Sequence, residues 1–340
     1  MNGQSVHLAT IVDGNMVHAA ATMVWGAVQR SGGRVEHIHI IGLGLSETQR
    51  QRLERVVPGC NVHWLEQKQA RRITEELPAV YHVPPISYTR LLLPDLLEGV
   101  DRVLYLDADL VVRANVAELW DLGTQGLPIA AVRDAGMSSL SDPNCLRYVS
   151  DELQDPEAMP FNAGVMLMDL KIWRGERLAE KVLEFLRVNQ DRLNYADQDG
   201  LNWVLQGRWS ERAMKWNVPL PLLVDADAYG IEAVAEDCLT SAYSAACIYH
   251  MFGQHKPWNS GLMHGFRRQW LEEFRRSGYF AGVPWLIWRS LEEVRAAWFV
   301  IRRRIRPRQA SRTNDVGKRC WEKRFEDGEE VSRSGSGFLG

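Results

Sequence analysis

Short apolar runs and longer amphipathic stretches alternate along the first three quarters of the chain. The apolar runs are bounded by polar or glycine-containing turns and predict β-strands at 6–14, 35–42, 61–67, 103–112 and 128–136. The amphipathic stretches predict helices at 16–33, 46–60, 87–99, 178–190 and 197–208. Segment 161–173 is predicted to run from a strand into a helix, and 248–258 from a strand end into a loop. Strands that alternate with helices indicate βαβ units, so we predict an α/β fold with a mostly parallel sheet flanked by helices.

The predicted strand VLYLDADLVV, residues 103–112, carries two carboxylates in an otherwise apolar run. Asp107 and Asp109 follow four apolar residues, which places them at the carboxyl end of the strand or in the turn after it. Ligands of such sheets bind beyond that end of the strands. If the strand persists, the two side chains point the same way, and converging carboxylates repel each other unless a cation neutralises them. The pattern therefore predicts a site for a hard divalent ion, Mg²⁺ or Mn²⁺.

Other interpretations of this pattern stay open from the residues alone. The two aspartates can be solvated loop residues, because short motifs recur by chance, and Asp225 and Asp227 repeat the motif in LLVDADAYG. A phosphatase of the haloacid-dehalogenase type would use Asp107 as its nucleophile, but that motif normally opens its domain, and strand–helix units precede it here. His37 and His39 share one face of a predicted strand without an evident third ligand, so we expect them to be structural.

Composition and charge narrow the class of protein. The chain has 340 residues, of which 46% are hydrophobic, and can bury a large core. Its formal net charge of -3 gives no indication of a nucleic-acid partner. Five cysteines without a C-x-x-C pair are typical of reduced thiols. The sequence shows no signal-peptide pattern and no apolar run near the roughly 18–20 residues that span a bilayer, so we expect a cytoplasmic location.

Charge is unevenly distributed, because residues 267–308 hold 11 Arg and 4 Glu but no Lys or Asp. Within a basic, tryptophan-containing helical extension predicted at 266–310, Ser290 and Glu293 form a capping-box pattern. Such a helix suits an anionic membrane surface, which would place the protein peripherally on the inner face of the membrane. The alternative is a helix packed on the body with a solvated basic face. The polar tail at 311–340 is predicted to be disordered.

Seven segments resemble, in the same order, the motifs of the family eight glycosyltransferases. They are VDGNM, YTRLLLPDLL, RVLYLDADLVV, FNAGVMLMDL, DQDGLN, KWNVP and YHMFGQHKPW, and they lie between residue 6 and about residue 258. The family consists of retaining enzymes, among them bacterial lipopolysaccharide galactosyl- and glucosyltransferases and glycogenin. The resemblance implies a GT-A type, Rossmann-like catalytic domain at 1–265. It also implies metal-dependent transfer of glucose or galactose from a UDP-sugar to a glycan or glycolipid acceptor such as lipopolysaccharide core.

The resemblance further implies roles for individual residues. It makes Asp107, Asp109 and His250 the ligands of Mn²⁺ or Mg²⁺. It assigns binding of the donor's uridine, diphosphate and sugar to Ile11, Asp13, Asn15, Arg90, Asp107, Ala108, Asp109, Asn162, Ala163, Gly164, Gly253 and Lys256. The metal and Lys256 would neutralise the diphosphate, which makes UDP a better leaving group. Gly253 would let the backbone approach a phosphate closely.

Asp197 and Gln198 are the implied catalytic residues, and two retaining routes stay open. A double displacement needs a carboxylate nucleophile, for which Asp197 is the candidate. A same-face departure and attack, which we favour, would have Gln198 stabilise the oxocarbenium-like state. The plainer interpretations make Asp197 a helix N-cap and Arg90 a helix-face charge. The family often places Tyr after D-x-N, whereas this chain has Met16 at that position. A non-catalytic module that binds a nucleotide-sugar is a further alternative for the function.

Overall fold

The computed structural model of the protein describes residues 4–65, 68–80, 83–220, 243–253, 256–258 and 264–280, and a seven-stranded sheet lies at their centre. The strands are β1 (Val6–Asp13), β2 (Val35–Leu43), β3 (Asn61–Trp64), β4 (Arg102–Leu106), β5 (Leu110–Val112), β6 (Ile129–Arg133), β7 (Phe161–Asp169), β8 (Ser210–Arg212), β9 (Val218–Pro219) and β10 (Ile248–His250). The order in the large sheet is β3-β2-β1-β4-β7-β6-β8, and β5, β10 and β9 form a smaller sheet. In the large sheet only β7 is antiparallel to its neighbours. The predicted mostly parallel α/β fold is therefore confirmed.

Helices pack on both faces of this sheet. The α-helices are α1 (Val17–Arg30), α2 (Glu47–Arg55), α3 (Lys68–Glu76), α4 (Leu93–Leu96), α5 (Val116–Asp121), α6 (Leu170–Glu176), α7 (Leu178–Asn189), α8 (Asp197–Leu205) and α9 (His264–Ser277). Three 3₁₀ helices among the described residues cover Pro85–Leu92, Arg147–Glu152 and Met214–Trp216. Among the described residues, no helix combines the length and the apolar character needed to cross a bilayer.

Two hydrophobic cores lie on opposite faces of the sheet, and β1 contributes to both. Leu8 and Val12 join the core that contains α1, whereas Ala9 and Ile11 join the core that contains the 3₁₀ helix Pro85–Leu92. Neighbouring side chains of a strand point to opposite faces, so a strand covered on both sides is apolar throughout. This double burial explains why the strands appear in the sequence as continuous apolar runs.

The predicted single strand at 103–112 is wrong, because the chain changes sheets within it. β4 belongs to the large sheet and ends at Leu106, residues 107–109 form a turn, and β5 pairs with β10 in the smaller sheet. Both halves are apolar because both are buried, so the hydrophobic pattern alone could not locate the break. The expectation that the two aspartates lie at a strand end or in the turn after it is confirmed.

The helix predicted at 87–99 has a different form in the structure. A 3₁₀ helix occupies Pro85–Leu92, and a single α-helical turn, α4, follows it. Pro94 lies in the first turn of α4, where its missing N–H removes no helical hydrogen bond, rather than interrupting a longer helix. Helices α3 and α5 have no counterpart among the predictions.

Helix α9 packs on the α/β body even though most of it lies in the range predicted for a separate basic region. Trp270 and Phe274 are each 1% exposed and belong to the same core as α1. Arg30 of α1 and Glu273 of α9 form an ion pair at 2.8 Å. The boundary at residue 265 and the membrane helix remain predictions, and residues 281–340, including Ser290 and Glu293, lie outside the described residues.

Four histidines cluster on one face of the sheet at β1, β2 and β3. His7 Nδ1 lies 3.0 Å from His39 Nε2, and His37 Nδ1 lies 3.3 Å from His63 Nε2. The ring centroids within these pairs are 5.3 and 5.6 Å apart, so each pair meets edge to edge. The two pairs then stack, with 4.6 Å between the centroids of His7 and His37. Each of these histidines thus has a polar and a stacking partner within the sheet.

Candidate active site

Most of the predicted site residues lie at one edge of the large sheet. Asp107 follows β4 and Asp134 follows β6, at the carboxyl ends of these strands. Because β7 is antiparallel, its amino end, which carries Asn162 and Gly164, reaches the same edge. The N–H of Asp107 donates to the carbonyl of Gly164 at 2.9 Å and ties the aspartate turn to β7. Ligands of open α/β sheets bind at this edge.

Asp107, Asp109 and His250 converge, with one ligand atom of each within 4.8 Å of the others. His250 Nε2 lies 3.4 Å from an oxygen of Asp109 and 3.8 Å from an oxygen of Asp107. The side chains are 4% exposed for His250, 13% for Asp109 and 21% for Asp107, so the group is enclosed but reachable from one side. Two carboxylates and a neutral imidazole suit Mn²⁺ or Mg²⁺, and these residues therefore fit a divalent cation.

The change of sheets between β4 and β5 brings His250 to the two aspartates. In the antiparallel ladder of β5 and β10, His250 is paired with Leu110, the residue after Asp109. The N–H of Met251 donates to the carbonyl of Asp109 at 3.0 Å. A strand that ran straight through residues 107–109 would not pair with β10 in this way. The strand break, which the hydrophobic pattern did not reveal, thus brings the three predicted ligands together.

Gly164 allows His250 to approach the sheet. A Cβ at residue 164 would lie 2.2 Å from His250 Cε1 and 2.7 Å from its Nδ1. Neither distance is compatible with non-bonded atoms, so a side chain at this position would displace the imidazole. The glycine predicted for the sugar pocket therefore also leaves room for the imidazole of His250, the third predicted ligand.

Lys256 contacts the same group from the loop after β10. Its ammonium donates to the carboxylate of Asp109 and to the carbonyl of Met251. Burial alone would raise the pKa of Asp109, but the charge of Lys256 and, when its ring is protonated, that of His250 outweigh burial and lower that pKa. Gly253, between His250 and Lys256, has a φ of +79°, a conformation that favours glycine. Lys256 thus lies where it can neutralise negative charge beside the ligand group.

Arg90 is a buried cation placed between two carboxylates. It is 5% exposed, and its nitrogens lie 3.3 Å from Asp107 and 2.8 Å from Asp197. It also donates to the carbonyl of Ala163 at 2.7 Å, and its guanidinium lies 4.6 Å from the ring centroid of Tyr105. Burial would lower the pKa of Arg90, but Asp107 and Asp197 outweigh it and raise that pKa. The helix-face interpretation of Arg90 is therefore wrong.

Asp197 does not cap a helix. Ala196 occupies the N-cap position of α8 with a φ of 54°, and Asp197 is the first helical residue, facing Arg90. The carboxylate belongs to a residue that is 2% exposed. This burial raises the pKa of Asp197 to about 6, against the opposing charge of Arg90. Asp197 is thus held close to Arg90 and out of water.

Hydrogen bonds hold both the oxygen and the nitrogen of the Gln198 side-chain amide. Its Oε1 accepts from the N–H of Ala163 at 3.0 Å, and its Nε2 donates to Asp134 at 3.0 Å. The same Asp134 oxygen accepts from Asn162 Nδ2 at 3.2 Å. Asp134 was not among the predicted site residues, although it follows the apolar run at 129–132 within the predicted strand 128–136.

Asn217 is a second residue of the site that was not among the predicted ones. Its Oδ1 lies 2.9 Å from His250 Nδ1, and its Nδ2 donates to Asn162 Oδ1 at 2.9 Å. It belongs to the KWNVP segment, so the resemblance marked its surroundings but not its role. That role depends on the pairing of β9 with β10, which the sequence does not reveal.

The remaining predicted donor residues lie close to the ends of β1 and β4. Ile11 is buried near the carboxyl end of β1, which neighbours β4 in the sheet. Asp13 ends β1, and its Oδ1 accepts from the N–H groups of Asn15 and Met16, each at 2.9 Å. This turn leaves Asn15 exposed. Ala108 lies in the turn between Asp107 and Asp109 and is 8% exposed.

Comparison with known proteins identifies the class to which this fold and site belong. The family model described as glycosyl transferase family 8 matches residues 7–261. The chain therefore belongs to glycosyl transferase family 8 and is a glycosyltransferase, as the seven segments predicted.

The chain is also similar to individual proteins. General stress protein A of Bacillus subtilis (strain 168) is 28% identical over 277 residues, which are 78% of this chain and 91% of that protein. Lipopolysaccharide 1,2-glucosyltransferase of Escherichia coli (strain K12) is 32% identical over 172 residues, 48% of this chain and 46% of that protein. This second match thus spans less than half of the relative's length.

A solved structure shows the same fold. The galactosyltransferase LgtC, in complex with donor and acceptor sugar analogues, superimposes with a TM-score of 0.67 at 20% identity. The superposition covers 83% of this chain and 100% of that chain. The predicted GT-A type fold of the catalytic domain is thereby confirmed.

Proposed function

We propose that the protein is a retaining, metal-dependent transferase that moves glucose or galactose from a UDP-sugar to a glycan or glycolipid acceptor. The observation that carries the proposal is the convergence of Asp107, Asp109 and His250, with Lys256 beside them, at the carboxyl edge of the sheet. A diphosphate carries dense negative charge and binds where a divalent cation and a lysine can neutralise it. When bound, Mn²⁺ or Mg²⁺ would supply electrostatic stabilisation of the departing UDP.

In this proposal the chain's own residues divide the work of binding the donor. Ile11, Asp13 and Asn15 lie by the uridine, at the end of β1. Asn162, Ala163 and Gly164 line the sugar pocket with Gln198, and Lys256 and Gly253 meet the diphosphate. Arg90 holds Asp107 and Asp197 in place through its two ion pairs.

The surroundings of Asp197 and Gln198 support the same-face route over a double displacement. Asp197 is tied to Arg90 at 2.8 Å in a buried pair, and release from that pair would leave Arg90 with one charged partner fewer. Gln198 stands at the sugar pocket with its amide held by Ala163 and Asp134. We infer that Gln198 faces the oxocarbenium-like state while Asp197 contributes negative charge without forming a bond.

A glucosyltransferase and a galactosyltransferase among the similar proteins support a hexose donor, and lipopolysaccharide core is the proposed acceptor.

The first test is release of UDP from UDP-glucose and from UDP-galactose, with Mn²⁺ and with a chelator. We expect metal-dependent release from one of the two donors. Asp109→Asn removes a ligand and should reduce release by more than the roughly 10–100-fold typical of losing an outer-shell contact. Asp101→Asn is the matched control, because Asp101 pairs with Lys171 on the surface next to the opposite end of β4.

Each result of this test has a distinct meaning. Release that survives both the chelator and Asp109→Asn would contradict a metal-dependent transferase. Metal-dependent UDP binding without any release would support the non-catalytic binding module. The phosphatase alternative, with Asp107 as the nucleophile, would release inorganic phosphate from a phosphomonoester and would not require a nucleotide-sugar.

A further inference from the structure

A chain of hydrogen bonds runs from Asp134 to the imidazole of His250. Asp134 accepts from Asn162 Nδ2 at 3.2 Å, and Asn162 Oδ1 accepts from Asn217 Nδ2 at 2.9 Å. Asn217 Oδ1 then lies 2.9 Å from His250 Nδ1. Asn217 is 4% exposed and His250 is 3% exposed, so water has little access to this contact.

The carboxylate of Asp134 determines which group donates and which accepts in each of these hydrogen bonds. An ionised carboxylate only accepts hydrogen bonds, so Asn162 must turn its NH₂ group toward Asp134. The N–H of Gly164, a second and independent donor, lies 3.0 Å from Asn162 Oδ1 and requires an acceptor there. Asn217 must therefore present its NH₂ group to Asn162 and its carbonyl oxygen to His250.

A carbonyl oxygen cannot donate, so the proton of a neutral His250 ring must be on Nδ1. The lone pair is then on Nε2, the nitrogen that faces Asp109 and Asp107 at 3.4 and 3.8 Å. Metal-binding histidines generally bind through one nitrogen while the other donates to a fixed acceptor.

We propose that Asn217 is a positioning residue that fixes the tautomer and the ring plane of His250, so that Nε2 is presented to a divalent cation. The proposal rests on the metal site of the proposed function. Asn217 reaches this place because it immediately precedes β9, whose parallel pairing with β10 places Pro219 opposite His250. The same chain ends at Asp134, which also holds Gln198, so one carboxylate orients both the metal ligand and the proposed catalytic amide.

Two substitutions separate this role from simple packing. Asn217→Leu keeps a similar volume but removes the acceptor for Nδ1–H. Asn217→Asp keeps an acceptor there and loses the donor to Asn162. In titrations of the full-length protein with Mn²⁺, with and without UDP, we expect Asn217→Leu to bind about 10–100-fold more weakly than wild type. Asn217→Asp should stay within tenfold of wild type, and thermal melting would establish that both variants fold.

A second measurement observes the tautomer without any metal, at an alkaline pH where the His250 ring is neutral. Long-range ¹H–¹⁵N spectra of the metal-free protein, with His250 assigned by comparison with His250→Gln, distinguish a proton on Nδ1 from one on Nε2. We expect a single Nδ1–H form in wild type and in Asn217→Asp. In Asn217→Leu we expect a mixture of tautomers.

The outcomes distinguish this inference from the proposed function. Unchanged Mn²⁺ affinity in Asn217→Leu, or equal weakening in both variants, would overturn the positioning role. A predominant Nε2–H form in wild type would overturn it as well. If wild type and Asp109→Asn both fail to bind Mn²⁺, the metal-dependent function fails, and the spectra still decide whether Asn217 sets the tautomer.

Discussion

At the scale of single residues, the sequence made the charged groups of the site predictable but not the groups that orient them. Asp107 and Asp109 stand out because a charged carboxylate within an apolar run is costly to bury unless a cation neutralises it. The family resemblance added His250, Arg90 and Lys256. Asn217 is an ordinary polar residue in the sequence, and Asp134 carries only the weak signal of a single carboxylate after an apolar run. They acquire their roles only when β6, β7 and β9 bring them next to Asn162.

Arg90 offers the sharpest test at this scale. Arg90→Met would leave Asp107 and Asp197 near each other without their shared cation, and breaking a buried pair costs about 3–5 kcal/mol. Urea unfolding should show this loss in the free energy of unfolding. Arg208→Met is the control, because Arg208 pairs with Glu176 at the surface, where such pairs contribute about 0–1 kcal/mol. Equal losses in the two variants would show that Arg90 is not an electrostatic centre.

At the scale of elements, the apolar runs located nearly every strand of the large sheet but could not show which strands would pair. The predicted strand at 103–112 divides between two sheets, and β7 enters the large sheet antiparallel. Both features depend on contacts between distant segments, which the hydrophobic pattern does not contain. Helix α5 was missed because it has only six residues, too few for a helical period to stand out. These errors did not affect the predicted position of the site, because β4 ends where the apolar run before Asp107 ends.

Helix α9 provides the prediction that belongs to this scale. Trp270→Ala should lower the free energy of unfolding by about 3–5 kcal/mol, because it empties a buried aromatic position between α9 and α1. Chemical denaturation would measure the change. Val188→Ala, at a side chain that is 75% exposed, should leave stability almost unchanged. A small effect at Trp270 would mean that α9 contributes little to the fold of the body.

At the scale of the whole molecule, two buried groups far apart give stability opposite pH dependences. Burial, followed by the charges of His7, His63 and His37, lowers the pKa of His39 from 6.5 to about 3. Its contribution to stability is present above pH 6.5 and is lost as the pH falls toward about 3. Burial raises the pKa of Asp199 from 3.8 to about 7, although N–H groups of Asn194 and Tyr195 oppose this. Its contribution is present below pH 3.8 and is lost as the pH rises through about 7.

Substitution should therefore change the pH profile of unfolding in opposite directions. His39→Gln should make stability fall less steeply than in wild type between pH 6.5 and 4, by up to about 1.4 kcal/mol per pH unit. Asp199→Asn should make it fall more steeply over pH 6.5 to 4. Urea midpoints at several pH values would measure both. Parallel profiles for wild type and His39→Gln would contradict the lowered pKa of His39.

Association with a membrane is also a property of the whole molecule, and the prediction concerns the basic segment after α9. Full-length protein should float with anionic liposomes, and replacement of Arg302, Arg303 and Arg304 by Ala should reduce the bound fraction, since each basic residue near such a surface contributes about 1 kcal/mol. Three surface arginines of the body, replaced in the same way, serve as the control: Arg177, Arg187 and Arg208. Unchanged flotation after the first replacement would exclude this segment as the anchor.

The several structural roles of Gly164 restrict how the sequence of such a protein can change during evolution. Its carbonyl holds the aspartate turn, its N–H fixes the polarity of Asn162, and its missing Cβ leaves room for His250. In the proposed site, a mutation there would alter cation binding, sugar recognition and strand geometry together, so no single substitution at this position can change one of them without the others. Descendants that change sugar or acceptor must then vary at surrounding positions, and saturation mutagenesis of this gene should find almost no functional substitutes for the glycine.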